Sequence, residues 1–316
     1  MEESHTRWFS PRTLRASLVL AALSLLAGCG GHTTKPSRGG HATHQQGSSR
    51  AGAPSSSSDR FHDDLSRPQS SRYRDRSDSI PDGPIPDIGK LIEPVPKVEP
   101  RSLYGNKSPY TVLGRSYTVL PSARGYDERG IASFYGNKFH GYKTSSLETY
   151  DMYAFSAASP TLPLPSYARV TNLENGKSVI VRVNDRGPFH ANRLIDLSYA
   201  AAVRIGIWPK GTGLVEVRGI DPRQPGQELP PPPVVTRRHP GLYLQVGAFA
   251  NTDNANRLAQ RLREANVGAV QVSDVDVNGQ RVRRVRVGPL VDVDRADAVS
   301  ARIEGMGLPR PQVAVD

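Results

Sequence analysis

Between residues 102 and 221 the chain is built from short stretches in which aliphatic and polar positions alternate. In the clearest, 178–184, Val179, Val181 and Val183 share one face, because successive side chains of a strand point to opposite sides. Similar β-rich runs occupy 131–135, 167–170 and 213–217, with turn residues between them, and Ser198 stands as an N-cap ahead of a helix over 199–205. Many short strands with little helix predict a small β-barrel. From residue 241 the period switches. A strand at 242–246 precedes a helix at 253–264 that gathers Ala255, Leu258, Ala259 and Leu262 on one face. Strands at 269–277 and 281–287 flank Asn278-Gly279, a strong hairpin signal. A second helix at 294–304 and a strand at 312–315 complete a βαββαβ order. The fold class is mainly β with an α+β second domain, the two joined by disordered linkers.

Those linkers are legible as the absence of any period. Residues 30–100 are mostly Ser, Gly, His, Arg and Pro, and cannot bury enough apolar surface to offset chain entropy. A second linker, 222–240, carries Pro230 to Pro233 in succession. The N-terminus has the form of an export signal. Arg7, Arg12 and Arg15 precede an apolar run at 16–27, too short for a membrane-spanning helix. The run ends in Leu26-Ala27-Gly28-Cys29, and Cys29 is the only cysteine. This resembles the lipobox of bacterial lipoproteins and implies a lipidated Cys29. Gly30 stands where an inner-membrane retention signal would place Asp, which favours the outer membrane over the inner. The expected organisation is a signal peptide at 1–28, a lipidated tether at 29–101, a barrel at 102–221, a linker at 222–240 and a second domain at 241–316.

The formal charge of +11 invites a nucleic-acid partner, but export argues against one and points to anionic envelope polymers. His140 and His190 are the only histidines in the barrel and fall in no metal-ligand spacing; no metal or cofactor is implied. Asp185 continues the Val179-Val181-Val183 face as Arg186-Gly187-Pro188 turns the chain. A carboxyl ending an apolar stripe is partly desolvated, which raises its pKa and suits general-acid work. From spacing alone, an ion pair with Arg182 or Arg186, or a cap on the turn, fits Asp185 equally well.

The barrel region resembles the rare lipoprotein A family. The resemblance rests on Gly130-Ile131-Ala132-Ser133-Phe134-Tyr135-Gly136, Phe139-His140-Gly141, Arg169-Val170-Thr171-Asn172-Leu173, Val183-Asn184-Asp185-Arg186-Gly187-Pro188-Phe189 and Ile195-Asp196-Leu197-Ser198. It implies a double-psi β-barrel and a lytic transglycosylase. Such an enzyme cleaves the β-1,4 bond between N-acetylmuramic acid and N-acetylglucosamine without water and leaves a 1,6-anhydro end. The family's two functional carboxylates fall on Glu148, in Thr144-Ser145-Ser146-Leu147-Glu148, and on Asp185. The resemblance implies Asp185 as proton shuttle and Glu148 as the group that positions the sugar or stabilises positive charge, with the reverse assignment open. Asp196 is a third candidate, by likeness to expansin barrels; capping the following helix is its competing role. His140 and Tyr150 are candidate groove residues. Leu147 stands where the family has Gly, and Ser159, a further candidate, where it has His. These departures carry the alternative reading of a weak or inactive peptidoglycan-binding lipoprotein.

Tyr243-Leu244-Gln245-Val246-Gly247-Ala248-Phe249 and Val285-Arg286-Val287-Gly288-Pro289 resemble the SPOR (sporulation-related repeat) family. That implies binding to glycan strands stripped of stem peptides at the division septum. Alternation leaves Tyr243, Gln245, Arg284 and Arg286 on the open sheet face as candidate glycan contacts. Taken together, the sequence predicts a monomeric, outer-membrane-anchored lytic transglycosylase on the periplasmic side, bound to peptidoglycan glycan strands and enriched at the septum.

Overall fold

The computed structural model describes residues 63–223 and 240–316, apart from positions 68, 74, 82, 83, 191 and 278. The export signal, Cys29, the tether up to residue 62, linker residues 224–239 and Asn278 lie outside the described residues. In chain order the elements before the barrel are a one-turn helix α1 (Gln69–Arg72) and a hairpin of β1 (Tyr110–Val112) and β2 (Arg115–Tyr117). The barrel strands are β3 (Asp127–Tyr135), β4 (Ser156–Ala158), β5 (Ser166–Asn172), β6 (Ser178–Asp185), β7 (Arg193–Ser198) and β8 (Thr212–Ile220). Helix α2 (Tyr199–Arg204) lies between β7 and β8 and is capped by the Ser198 hydroxyl, which accepts from the Ala201 amide.

The six strands close in the order β3-β7-β4-β6-β5-β8. Two pairs, β3 with β7 and β4 with β6, are parallel, and the rest are antiparallel. A barrel this narrow has room only for small and branched side chains. Ala132, Ala157, Ala168, Val170, Val179, Val181, Val183, Ile195, Leu197, Val215 and Val217 belong to its buried cluster. The alternation at 178–184 thus faces inward as expected. The sequence reading lacked β1, β2, β4 and β7, each short or without a clean period of two.

The second domain follows its expected order. The elements are β9 (Leu242–Phe249), α3 (Thr252–Glu264), β10 (Val270–Val277), β11 (Gln280–Leu290), α4 (Val293–Gly305) and β12 (Gln312–Val315), and the sheet order is β10-β11-β9-β12. Asn251 caps α3 by accepting from the Asp253 and Asn254 amides, and Asp292 caps α4 through the Arg295 amide. Leu244, Leu262 and Ile303 are fully buried between sheet and helices, and each such side chain contributes roughly 1.5–3 kcal/mol. Ile131, Leu173 and Leu214 of the barrel belong to the same buried cluster. Asn192 adds hydrogen bonds to Asp297 and Ser300, at 2.9 and 3.0 Å.

The expected tether ends earlier than residue 101. Ile88 is buried in the barrel cluster, and the Glu93 carboxylate accepts from the Ile180 amide at 2.8 Å. Glu99 receives two bonds from the Arg182 guanidinium, at 3.0 and 2.9 Å, and another from the Tyr167 hydroxyl. Further upstream, Asp78 accepts from the Gly136 and Lys138 amides. A Cβ on Gly136 would stand 2.3 Å from the Ser79 carbonyl oxygen, so this close approach requires glycine. Isolated side chains, rather than a repeating pattern, bind this segment to the barrel, and so it leaves no periodic trace in the sequence.

Candidate active site

The barrel's strand register builds the floor of a groove. Ser133 of β3 is paired with Asp196 of β7, Asp196 with Ala158 of β4, and Ala158 with Asp185 of β6. These four residues form one row across four adjacent strands, and all of them line a groove of about 980 Å³. Because neighbouring strands lie about 4.7–4.9 Å apart, the two aspartates are separated by two strand spacings, roughly 10 Å between backbones. The methyl of Ala158 is the only side chain between them in the row.

Asp185 ends the apolar stripe of β6, where burial pushes its pKa above 3.8. Its Oδ1 accepts from the Ser145 amide at 2.8 Å, the Ser145 hydroxyl at 2.6 Å and the Arg186 amide at 2.7 Å, and these bonds oppose the rise. The expected alternative of an ion pair with Arg182 or Arg186 does not form. Arg182 is taken by Glu99 and Glu148. The Arg186 guanidinium turns to the carbonyls of Gly105, Ser159 and Leu162. Only the cap on the turn remains, through the Arg186 amide.

Asp196 is also raised above 3.8, first by burial and further by the Asp185 charge. It accepts a short hydrogen bond from the Ser133 hydroxyl. It does not cap α2, since Ser198 does so alone. This alters an expectation of stability loss. A carboxyl whose folded pKa lies above its unfolded value contributes stability below the unfolded value and loses it as pH rises through the folded one. Asp196→Asn should therefore melt at least as high as the parent near pH 7, with the difference shrinking toward about pH 3. A thermal melt at both pH values checks this, and a marked drop at pH 7 would restore a structural role.

Glu148 lies outside the groove lining. Its carboxylate accepts from the Arg182 guanidinium and, at 2.9 Å, from the Asn184 side chain. Burial works against ionisation there, but these partners hold the pKa below its ordinary value, so Glu148 is a poor proton donor. Its backbone carbonyl accepts from Thr144, closing the loop that carries Ser145 to Asp185.

Three other candidates sit away from the floor. Tyr150 is buried, stacked on Tyr135 at 4.2 Å, and its hydroxyl donates to the Tyr135 carbonyl. His140 Nδ1 accepts from the Met152 amide at 3.2 Å, and the residue is not part of the groove wall. Ser159 is buried, and its hydroxyl accepts from the Thr161 and Leu162 amides. An imidazole at 159 would have to displace that turn. At position 147 the expected change of backbone does not occur, because Leu147 itself takes φ of 65°.

Residues missed in the sequence complete the site. Ser145 and Ser133 hold the two aspartates, and Arg72, Tyr73, Tyr104, Tyr110 and Leu113 supply walls from segments preceding the barrel. A polar Ser133 within the otherwise apolar run 131–135 was the one available signal. Lys107, Lys138, Lys143, Arg193 and His190 also line the groove, giving a cationic mouth over a carboxyl floor. On the second domain's sheet, Arg286 lies 5.8 Å from the Tyr243 ring centre and pairs with Asp316, so it is not a free cation.

Comparison with known proteins fits this geometry. Residues 127–218 match the family described as lytic transglycolase, and residues 239–313 match the SPOR domain. Over 277 residues the chain is 40% identical to an endolytic peptidoglycan transglycosylase RlpA of Pseudomonas aeruginosa, covering 71% of this chain and 81% of that protein. The chain belongs to the RlpA family. An RlpA of Vibrio cholerae is 39% identical over 236 residues, covering 75% of this chain and 86% of its own length. The crystal structure of the RlpA SPOR domain from P. aeruginosa is 39% identical, covers 23% of this chain and 97% of that domain, and gives a TM-score of 0.23. The RlpA-family barrel comprises the matched residues 127–218, whereas the walls around Tyr73, Tyr104 and Leu113 precede them.

Proposed function

We propose that this protein is an endolytic lytic transglycosylase of peptidoglycan, with Asp185 as its proton shuttle. One observation carries the reading: a buried carboxyl of raised pKa opens onto a cationic groove wide enough for a polysaccharide. Protonated Asp185 gives its proton to the glycosidic oxygen as the bond to muramic acid C1 breaks. The C6 hydroxyl of the same sugar then bonds to C1, and its proton passes to the Asp185 carboxylate, which restores the acid. A usual glycosidase needs a second carboxyl to handle water or a covalent intermediate; an internal nucleophile removes that need. Asp196, two strands away, stabilises positive charge developing at C1. Glu148 acts through the loop it holds, as a positioning residue. Digestion of peptidoglycan by the purified protein, read by mass spectrometry, tests this. Anhydro ends are expected, whereas reducing ends would mean hydrolysis and intact polymer a binding protein.

The SPOR domain directs this chemistry to glycan lacking stem peptides, and Tyr243, Gln245, Arg284 and Arg286 are its contact residues. Strand β9 supports this by placing Leu242 and Leu244 in the core, with Tyr243 and Gln245 on the other side. Parallel digestions of intact and amidase-stripped sacculi should favour the stripped polymer; equal yields would sink the targeting.

Cys29 anchors the chain to the periplasmic face of the outer membrane, and septal enrichment follows from the glycan preference. The support is the lone cysteine closing the apolar run. Cys29→Ser should move the protein from the outer-membrane fraction to the soluble fraction. Continued sedimentation with outer membrane would refute the anchor.

A further inference from the structure

Among the described residues, four that are not glycine hold a positive φ: Leu113 at 49°, Leu147 at 65°, Asn192 at 67° and Asn266 at 51°. Asparagine tolerates this region, but leucine is disfavoured because its Cβ crowds the backbone. Both leucines are also exposed, Leu113 at 81% and Leu147 at 37%, so neither regains the strain by burial. Leu113 occupies the first central position of the β1–β2 turn, followed by Gly114 at 75°, where Asn is the usual choice. Leu147 occupies the loop whose next-but-one upstream residue, Ser145, holds Asp185. Two strained, exposed leucines serve neither the core nor solubility, yet both line the groove above Asp185.

Tyr104 joins them. It is 58% exposed and lines the same groove, on a loop lying against the one that carries Leu147. The Ser102 hydroxyl reaches the Ser146 carbonyl at 3.4 Å, and a Cβ on Gly105 would meet the Ser145 carbonyl at 2.8 Å. Strain that persists where the fold does not need it marks a functional surface. We infer that Leu113, Leu147 and Tyr104 form an apolar rim that packs against the carbon faces of saccharide rings on either side of the scissile bond. The occupant is a glycan strand, as the proposed function requires. Sugar rings present C–H faces that need apolar partners, and their carboxylates suit the Lys107, Lys138 and Lys143 ammonium groups around the same opening. The rim residues are specificity determinants and take no part in proton transfer.

The test uses the full chain with Leu113→Asn, Leu147→Asn and the conservative Leu147→Met. Asparagine relieves the backbone and removes the apolar contact, whereas methionine keeps the contact. Each Asn variant should raise KM for stem-free glycan about 5–20-fold with kcat within about twofold. Each should melt no lower than the parent, and up to about 4 °C higher. Leu147→Met should keep the parent KM. In the parent, methyl NMR signals of Leu113 and Leu147, assigned from the variants, should shift on adding a short stem-free glycan oligosaccharide. Unchanged KM and unmoved methyl signals would overturn the rim. So would a faster Asn variant, which would make the leucines obstacles, or a lower melting temperature, which would make them structural. A parent that neither cleaves nor binds glycan would instead sink the functional reading on which the rim rests.

Discussion

Replacing Asp185 with asparagine should leave a folded barrel that forms anhydro-muropeptides about 10²–10⁴-fold more slowly, the span typical of losing a general acid. At about 1.36 kcal/mol per decade this is roughly 3–5 kcal/mol of barrier. Asparagine keeps an oxygen to accept from Ser145 and Arg186, so the surrounding bonds survive while the transferable proton is lost. Since burial raises the Asp185 pKa above 3.8, ionisation costs folding free energy, and the variant should melt no lower than the parent near pH 7. The parent's rate should fall as pH rises through the folded pKa, because the cycle begins from the protonated carboxyl. Glu148→Gln should have a smaller effect, on the order of tenfold, through its loop. Anhydro-muropeptide yield per unit of folded protein measures both. An Asp185→Asn enzyme as fast as the parent would remove Asp185 from the mechanism.

Arg186→Lys should be the most damaging conservative change to the architecture of the site. The guanidinium donates to the carbonyls of Gly105, Ser159 and Leu162 at 2.6, 2.9 and 2.6 Å, and to the Asn106 side chain at 3.2 Å. One planar group thus joins the loop at 102–106 to the turn after β4. A lysine ammonium cannot reach acceptors spread across a guanidinium fork, and each buried carbonyl left without a donor costs about 1–3 kcal/mol. A loss of roughly 2–4 kcal/mol is expected, which lowers Tm by about 4–16 °C in a unit of this size. The rate should fall as well, because the loop that moves carries Tyr104 onto the groove. Thermal melts followed by near-ultraviolet circular dichroism read the effect. A lysine variant melting within about 2 °C of the parent would mean that the carbonyls find other donors.

The sequence by itself determined every element whose side chains repeat. Val179, Val181 and Val183 announced the inward face of β6, Ala255, Ala259 and Leu262 the buried stripe of α3, and Ser198 the start of α2. Period and capping are local properties, written within a few residues of where they act. The motif around Asp185 was legible for the same reason, since its apolar stripe and turn are contiguous. Asp196 was legible as a candidate but not in its role, because its partners Ser133 and Ala158 arrive from β3 and β4, and only barrel closure brings them to it. Glu148 lost the direct role the motif implied because Arg182 and Asn184, on the β6 strand that also carries Asp185, draw its carboxylate away from the groove. The groove walls were illegible altogether. Tyr73, Tyr104 and Leu113 lie in segments with no apolar period, held by individual bonds such as Asp78 to the Gly136 amide and Arg186 to the Gly105 carbonyl. Contacts of that kind have no fixed spacing along the chain, so only the tertiary structure decides them.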